Sequence, residues 1–313
     1  MGNGGVRSEV YITMDTNILL ESGTNELEIL EFVVDGHNYG INVAKIREII
    51  SYTELTPIPN AHPFVEGAFS TRGETITVVN LAKCLGMNEH EEKKTDMFLV
   101  TSFNGTNAAF HVHSVVGIHR VNWSQIVKPD RLISNSRTSS MITGIINIDK
   151  QLVILLDFEN IVAQISPEAG IQLSDIERLG SRPKNNKPIL YAEDSQFLSL
   201  MIYDGLTAAG FTNLMPLNNG LELWELLEQY RQEGTLKEKV ACVVTDIEMP
   251  QMDGHRLLKL IKETPAYKDI PVIIFSSLIN EEMRRKGEQL GADAQLSKHE
   301  MGDFVKALDR VLA

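Results

Sequence analysis

Asp246, Ser276 and Lys298, with the acidic pair Glu193-Asp194 upstream of them, form a set suited to accept a phosphoryl group. Asp246 would be the nucleophile that takes phosphorus onto a carboxylate oxygen. Glu193 and Asp194 would offer oxygen ligands to a Mg2+ ion, which prefers carboxylates, water and phosphate oxygens in octahedral array. Without a cation, three clustered carboxylates repel one another and raise their pKa values. Lys298 and the Ser276 hydroxyl would hold the oxygens of the transferred group, whose loose transition state is stabilised by positioning and charge. Taken singly, each of these residues is as ordinary as any solvated group at a strand end; the combination is what points to chemistry.

Each of them follows a short apolar run. The runs are Pro188 to Ala192 before the acidic pair, Val240 to Thr245 before Asp246, Pro271 to Phe275 before Ser276, and Ala294 to Ser297 before Lys298. Such runs, alternating with turns and helix-period stretches, predict βα units. Repeated units imply a parallel sheet with right-handed crossovers, in which ligands sit beyond the carboxyl ends of the strands. Five residues far apart in sequence are therefore expected on one rim. Three apolar helix faces are predicted to pack on the sheet: Phe197, Leu200, Met201, Leu206 and Ala209; Leu221, Trp224, Leu227 and Tyr230; and Leu257, Leu258 and Ile261. The stretch Phe304 to Leu312 reads as a final amphipathic helix.

The segment Thr245-Asp246-Ile247-Glu248-Met249-Pro250-Gln251-Met252-Asp253-Gly254, with Ser276 thirty residues and Lys298 fifty-two residues after Asp246, resembles the receiver domain of bacterial two-component response regulators. The resemblance covers about residues 187 to 313. It implies a flavodoxin-like (βα)5 fold with strand order 2-1-3-4-5, Asp246 as phospho-acceptor, and Mg2+ held by Glu193, Asp194, Asp246 and the backbone carbonyl of Glu248. Ser276 and Lys298 would bind the phosphoryl group, and Gln295 would stand at the family's switch position, where many receivers carry an aromatic residue. His299 follows the lysine where proline is usual. An X-Pro bond adopts cis at modest cost and a Lys-His bond does not, so the loop after the fifth strand is expected to differ in geometry.

Length and composition bound the rest. A chain of 313 residues suits two domains with a core each. A hydrophobic share of 43% and a charged share of 23% are those of a globular protein. The formal charge of −13 is shared evenly, with 15 basic and 22 acidic residues in 1–186 and 14 and 20 in 187–313. Neither part is basic, which disfavours a nucleic-acid-binding domain. Cys84 and Cys242 lie in separate apolar stretches and read as buried, reduced thiols. The N-terminus lacks the apolar core of a secretory signal, and Val6 stands where a myristoylation signal wants Ser or Thr. No apolar run approaches a membrane span.

Residues 29 to 165 read as β structure. Two-residue turn signals at Asp35-Gly36, Arg72-Gly73, Asn104-Gly105 and Asp149-Lys150 predict four hairpins, with helix-like pieces near Ala44 to Ile50 and after Asn80. No phosphate-binding glycine loop, metal-ligand cysteine spacing or nucleophile elbow is present, so a binding module is expected. His111, His113 and His119 lack identifiable further ligands for a metal and read as solvent-facing.

In order, Phe32 to Ile41, Ile46-Arg47-Glu48-Ile49, Ile58-Pro59-Asn60-Ala61, Val65-Glu66-Gly67, Thr71-Arg72-Gly73, Val78-Val79-Asn80-Leu81, and Thr143-Gly144-Ile145 through Asp157 resemble the CheW-like coupling domain of bacterial chemotaxis. That family implies two small five-stranded, SH3-like β-barrels packed around a shared core. Ser70-Thr71 and Asn80 depart from its usual aliphatic and acidic residues. A CheW-like domain followed by a receiver is the arrangement of the CheV family. The resulting division is an N-terminal tail, 1–26, a coupling domain, 27–165, a linker, 166–186, with a helical turn at Leu173 to Leu179, and a receiver, 187–313. The resemblance implies a cytoplasmic adaptor, not an enzyme, that joins chemoreceptor tips to the histidine kinase CheA at the inner face of the membrane. Phosphorylation would serve adaptation or drain kinase phosphate. Glu48, Gly67, Arg72 and Gly73 are the candidate coupling surface, with Arg72 as a planar, multi-donor anchor. Two alternatives stay open: a response regulator whose β domain binds an unrelated partner, and an Asp-nucleophile phosphohydrolase with Glu248 as its acid or base.

Overall fold

The computed structural model describes residues 24–87, 95–103, 106–127, 141–166, 176, 178–180 and 182–313. The Asn104-Gly105 turn, most of the tail and most of the Leu173 to Leu179 stretch lie outside these residues. The N-terminal domain holds two five-stranded sheets and the C-terminal domain one. Strand β1, Glu26–Val34, turns back into β2, His37–Asn42, and β9, Ile142–Ile148, into β10, Gln151–Leu156; with β8, Ser114–Asn122, they form a sheet ordered β8-β1-β2-β10-β9. The second sheet, ordered β3-β6-β7-β5-β4, contains β3, Ile46–Ser51, β4, Val65–Thr71, β5, Glu74–Asn80, β6, Met97–Phe103, and β7, Thr106–Val112.

The predicted hairpins at Asp35-Gly36, Arg72-Gly73 and Asp149-Lys150 form, and both central residues of each turn have positive φ, between 48° and 83°. That conformation matches the twist of the flanking strands. Period-2 alternation then sorts the side chains. In β1, Leu27 and Ile29 face a small core with Trp123, Ile146 and Val153, while Leu30, Phe32 and Val34 face a larger one. In β6, Phe98 and Val100 join a core with Phe69 and Ile76, while Leu99 joins the larger one. Each sheet thus curls around its own apolar filling, and both share a central core completed by Phe158 and Ile161 of helix α2, Phe158–Ile165. Helix α1 is the short Leu81–Cys84.

Two expectations need correction, and one strand goes beyond them. Ala44 to Ile50 is a 3-10 turn, Val43–Lys45, followed by β3, because the β-branched Ile46, Ile49 and Ile50 pair with β6. The nine-residue β8 carried no sequence signal, since its two faces do not alternate cleanly between apolar and polar. His111 is buried, not solvent-facing: its Nδ1 lies 2.9 Å from Glu66 and its Nε2 3.3 Å from Asp96.

The C-terminal sheet has the order β12-β11-β13-β14-β15, which is 2-1-3-4-5 within that domain. Its strands are β11, Ile189–Ala192, β12, Leu214–Leu217, β13, Cys242–Thr245, β14, Val272–Ser276, and β15, Ala294–Ser297, all paired in parallel. Ile189 and Tyr191 pack with helices α3, Gln196–Ala208, and α8, Met301–Val311. Leu190 and Ala192 pack on the other face with α4, Gly220–Glu233, and α6, Gly254–Glu263. A short α5, Leu236–Lys239, and α7, Glu281–Leu290, complete the domain. In α3 the buried stripe is Leu198, Ile202 and Leu206, at i, i+4 and i+8; Phe197 and Leu200 of the predicted face are exposed. Both cysteines are buried and free, and burial pushes their thiols up to about 12. No helix among the described residues is long and apolar enough to cross a membrane.

Candidate functional site

The parallel sheet delivers Glu193, Asp246, Ser276 and Lys298 to the carboxyl ends of four adjacent strands, with Asp194 beside them. All but Asp194 are buried. Lys298 bridges the two halves of the rim, with Nζ 2.7 Å from Glu193 Oε2 and 2.7 Å from Asp246 Oδ2. The backbone N–H of Ile247 donates to Asp246 Oδ1 at 2.6 Å, so both carboxylate oxygens are fixed. The close fit of Gly254 helps to set Asp246: a Cβ there would stand 1.9 Å from the Asp246 carbonyl oxygen. Ser276 Oγ accepts from Leu278 N–H at 3.3 Å.

The charge balance is acidic. One carboxylate oxygen from each of Glu193, Asp194 and Asp246 lies within 4.8 Å of the others, an arrangement that could hold a metal ion. Burial, together with the charges of Asp246 and Asp194, holds the Glu193 carboxyl well above the usual range, although Lys298 opposes this. Lys298 is raised despite the desolvation that penalises its charge, because Asp246 and Glu193 lie beside it. An additional divalent cation would relieve the carboxylate repulsion, so these residues fit the hard, oxygen-ligated ion expected there.

Gln295 is apart from this rim. Its amide donates to the Arg284 carbonyl at 2.7 Å, tying β15 to α7, and its side chain fills the space beside Gly287. Among the described residues the peptide bonds are all trans, Lys298-His299 included, and His299 Nδ1 meets Ser297 Oγ at 2.8 Å.

The sequence model of the CheW-like domain matches residues 28–166, and that of the response regulator receiver domain matches residues 189–309. Chemotaxis protein CheW of Thermotoga maritima is 30% identical over 152 residues, which is 49% of this chain and 98% of that protein. The chain belongs to the CheW-like family. Behind its CheW-like domain it carries a receiver domain, the arrangement of CheV proteins. Chemotaxis protein CheV3 of Helicobacter pylori is 28% identical over 310 residues, 92% of this chain and 95% of that one. Among solved structures, the scaffolding protein TtCheW from Thermoanaerobacter tengcongensis is 22% identical, covering 42% of this chain and 84% of its own at a TM-score of 0.39.

In the CheW-like domain, Glu48 and Arg72 come together: Arg72 Nη2 stands 3.4 Å from Glu48 Oε2, with the glutamate buried and the arginine side chain 55% exposed. Gly73 sits in the same turn, and Gly67 is pressed against the Thr56 carbonyl, 2.8 Å from where a Cβ would be. These four lie on the second sheet and its Arg72-Gly73 turn, and none of them lines the cleft at the receiver rim.

The CheW-like domain nevertheless reaches that rim with residues that carried no motif. Lys45 Nζ lies 2.8 Å from Glu159 Oε1 and 2.8 Å from Glu248 Oε2. Ser277 Oγ donates to Glu159, and Asn42 donates to Glu248. Further along the junction, Asn25 donates to the Gln251 carbonyl at 2.7 Å and accepts from Asp253 N–H at 2.9 Å, while Gln251 N–H donates to the Trp123 carbonyl at 2.9 Å. A cleft of about 50 Å3 is left between the domains, lined by Lys45, Asp157 and Glu159 on one side and Asp194, Asp246 and Lys298 on the other.

Proposed function

We propose that the chain is a chemotaxis coupling adaptor whose CheW-like domain, about residues 27–165, joins chemoreceptor cytoplasmic tips to the histidine kinase CheA. Phosphorylation of Asp246 in the receiver, about residues 187–313, modulates that coupling for adaptation or to drain kinase phosphate. The convergence of Glu193, Asp194, Asp246, Ser276 and Lys298 on one rim, in a chain with a CheW-like domain, carries this reading.

An Asp246 carboxylate oxygen forms the bond to phosphorus as the bond from phosphorus to the donor breaks and the donor keeps the electron pair. Lys298, already 2.7 Å from Asp246, lies where it can follow the charge onto the phosphoryl oxygens, and the Ser276 hydroxyl is the neighbouring donor. Glu193, Asp194, Asp246 and the Glu248 backbone carbonyl would hold Mg2+, which when bound supplies positive charge to the acceptor and phosphoryl oxygens. The Glu248 carboxylate is engaged by Lys45 and Asn42, which argues against its service as the acid of a phosphohydrolase. Gln295, tied to Arg284, is proposed to shift with β15 when the site is phosphorylated. The coupling contacts are assigned to Glu48, Gly67, Arg72 and Gly73, and the location to receptor arrays at the inner face of the membrane.

Incubation with acetyl phosphate and Mg2+ should add one phosphoryl group, and the label should map to Asp246. The full chain should capture CheA and receptor cytoplasmic fragments from purified mixtures. Kinase activity in reconstituted receptor complexes should respond differently to wild type and Asp246→Asn once phosphodonor is added. An unlabelled chain, or identical responses, would defeat the proposal.

A further inference from the structure

Two cations, buried Lys298 and part-buried Lys45, serve six carboxylates where the domains meet. Lys298 faces Glu193 and Asp246, Lys45 faces Glu159 and Glu248, and Asp157 and Asp194 border the same cleft. Glu159 is placed by its helix: Asp157 caps the first turn of α2 by accepting from Asn160 N–H at 2.9 Å, and Glu159 projects from that turn. Its carboxylate accepts a hydrogen bond from the hydroxyl of Ser277, the residue next to Ser276, and its other oxygen is held by Lys45. Glu159 also lies close enough to Lys298 for that cation, along with Lys45, to draw its pKa down against the effect of burial.

A phosphoryl group on Asp246 would compete for the same ground. It adds negative charge beside Glu159 and Asp157, and it needs Lys298, whose field Glu159 already shares. The space is also small. The cleft that reaches Asp246, about 50 Å3, has room for a few water-sized groups but not for a phosphodonor carried on another protein. The wider opening of about 440 Å3 beside it, lined by Lys45, Arg47, Ser277 and His299, does not include Asp246 in its lining. Among the described residues the junction includes hydrogen bonds and ion pairs, which water can replace when the domains part.

We propose that the docked CheW-like domain plugs the acceptor site, with Glu159, held by Lys45 and Ser277, occupying the approach to Asp246. Phosphorylation then proceeds from the undocked form, and the phosphoryl group on Asp246 keeps Glu159 out and the domains apart. The plug rests on Asp246 being the phospho-acceptor, as in the function proposed above, and adds to it the residues through which one domain senses the other. Lys45 and Glu159 are positioning residues here and make no bond to phosphorus.

The test uses the full chain with acetyl phosphate and Mg2+. Asp246 forms a bond to phosphorus, the bond from phosphorus to the acetyl oxygen breaks, and acetate departs with the electron pair. Glu159→Gln, which keeps the shape and removes the charge, and Lys45→Met, which removes the clasp, should each raise the initial labelling rate roughly tenfold, a usual size for coupling between sites. Lys45→Arg, which keeps the pair, should stay near the wild-type rate. Spin labels on the two domains should move apart when wild type is phosphorylated and stay in place in Asp246→Asn. Equal labelling rates in wild type, Glu159→Gln and Lys45→Met, or an unchanged distance with Asp246 demonstrably phosphorylated, would overturn the plug while leaving the acceptor intact. Absence of label from all these chains would overturn the proposed function and the plug together.

Discussion

The receiver rim and the Arg72 turn place their candidate residues in opposite surroundings. At the rim, Lys298 is 2% exposed and is held between two carboxylates at 2.7 Å; at the turn, the Arg72 side chain is 55% exposed and meets Glu48 at 3.4 Å. A buried charge must be paired or it costs several kcal/mol, so a covalent-transfer site constrains every residue type around it. A contact surface needs only a shape and a donor presented to water, and exposed ion pairs contribute about 0 to 1 kcal/mol. The difference predicts that substitutions at the rim act on chemistry and folding, whereas those at the turn act on partner affinity.

The largest effect expected is at the proposed nucleophile. Asp246→Asn should lower phosphoryl labelling by at least about a thousandfold while the domain still folds, as read by intact-mass spectrometry and a thermal melt. Labelling that persisted at another carboxylate would break the comparison at its strongest point.

Next in size are two glycine substitutions. A Cβ at Gly254 would meet the Asp246 carbonyl oxygen at 1.9 Å and Thr245 Oγ1 at 3.0 Å, whereas one at Gly73 would have nothing within 4 Å. Gly254→Ala should therefore cost about 3 kcal/mol in receiver stability and slow labelling, because backbone must yield. Gly73→Ala meets only the conformational penalty of φ +83°, about 1 to 2 kcal/mol, and should leave labelling unchanged. Denaturant melts followed domain by domain would distinguish them.

The main effect of Arg72→Ala should be to weaken capture of the kinase or receptor fragments about tenfold, as expected for a planar multi-donor anchor, with a cost of about 1 to 2 kcal/mol to the CheW-like domain because buried Glu48 loses a partner. The opposite pattern, unchanged affinity with a destabilised CheW-like domain, would make Arg72 a partner for buried Glu48 and nothing more.

How much of this the sequence disclosed follows the same division. Four of the receiver's strands and the convergence of its rim were readable, because burial on both faces demands continuous apolar runs and the site demands fixed residue types at strand ends. The 2-1-3-4-5 order came from the resemblance to receiver domains, and β12, whose residues are half-buried or exposed, lies outside that demand. Three hairpins were readable because type I′ geometry selects residues that tolerate positive φ. The stripe on α3 was misjudged, since apolar Phe197 and Leu200 lie on the outer side of a helix whose inner side is Leu198, Ile202 and Leu206. Lys45, Glu159 and Ser277 gave no signal at all. Their pairing depends on how two domains meet, and nothing in the local pattern around Lys45 or Glu159 records a partner more than a hundred residues away.

The smallest effect expected belongs to His111, the histidine whose burial the strand pattern did not disclose. Burial alone would disfavour its charged form, but the carboxylates of Glu66 and Asp96 on either side outweigh that and raise its pKa above the ordinary value. A group bound to its proton more tightly when folded stabilises the fold most where the unfolded chain is also protonated, below about pH 6.5, and that contribution disappears as pH rises through the folded-state value. The unfolding midpoint of the CheW-like domain, followed in the full chain from about pH 6 to about pH 9, should therefore fall in wild type relative to His111→Gln, which cannot titrate. Parallel curves for the two proteins would mean that the fold binds the His111 proton no more tightly than the unfolded chain does, the effect of burial cancelling that of the two carboxylates. Receiver melts in the same samples should show no difference between the two, because His111 and both of its acidic partners lie in the CheW-like domain.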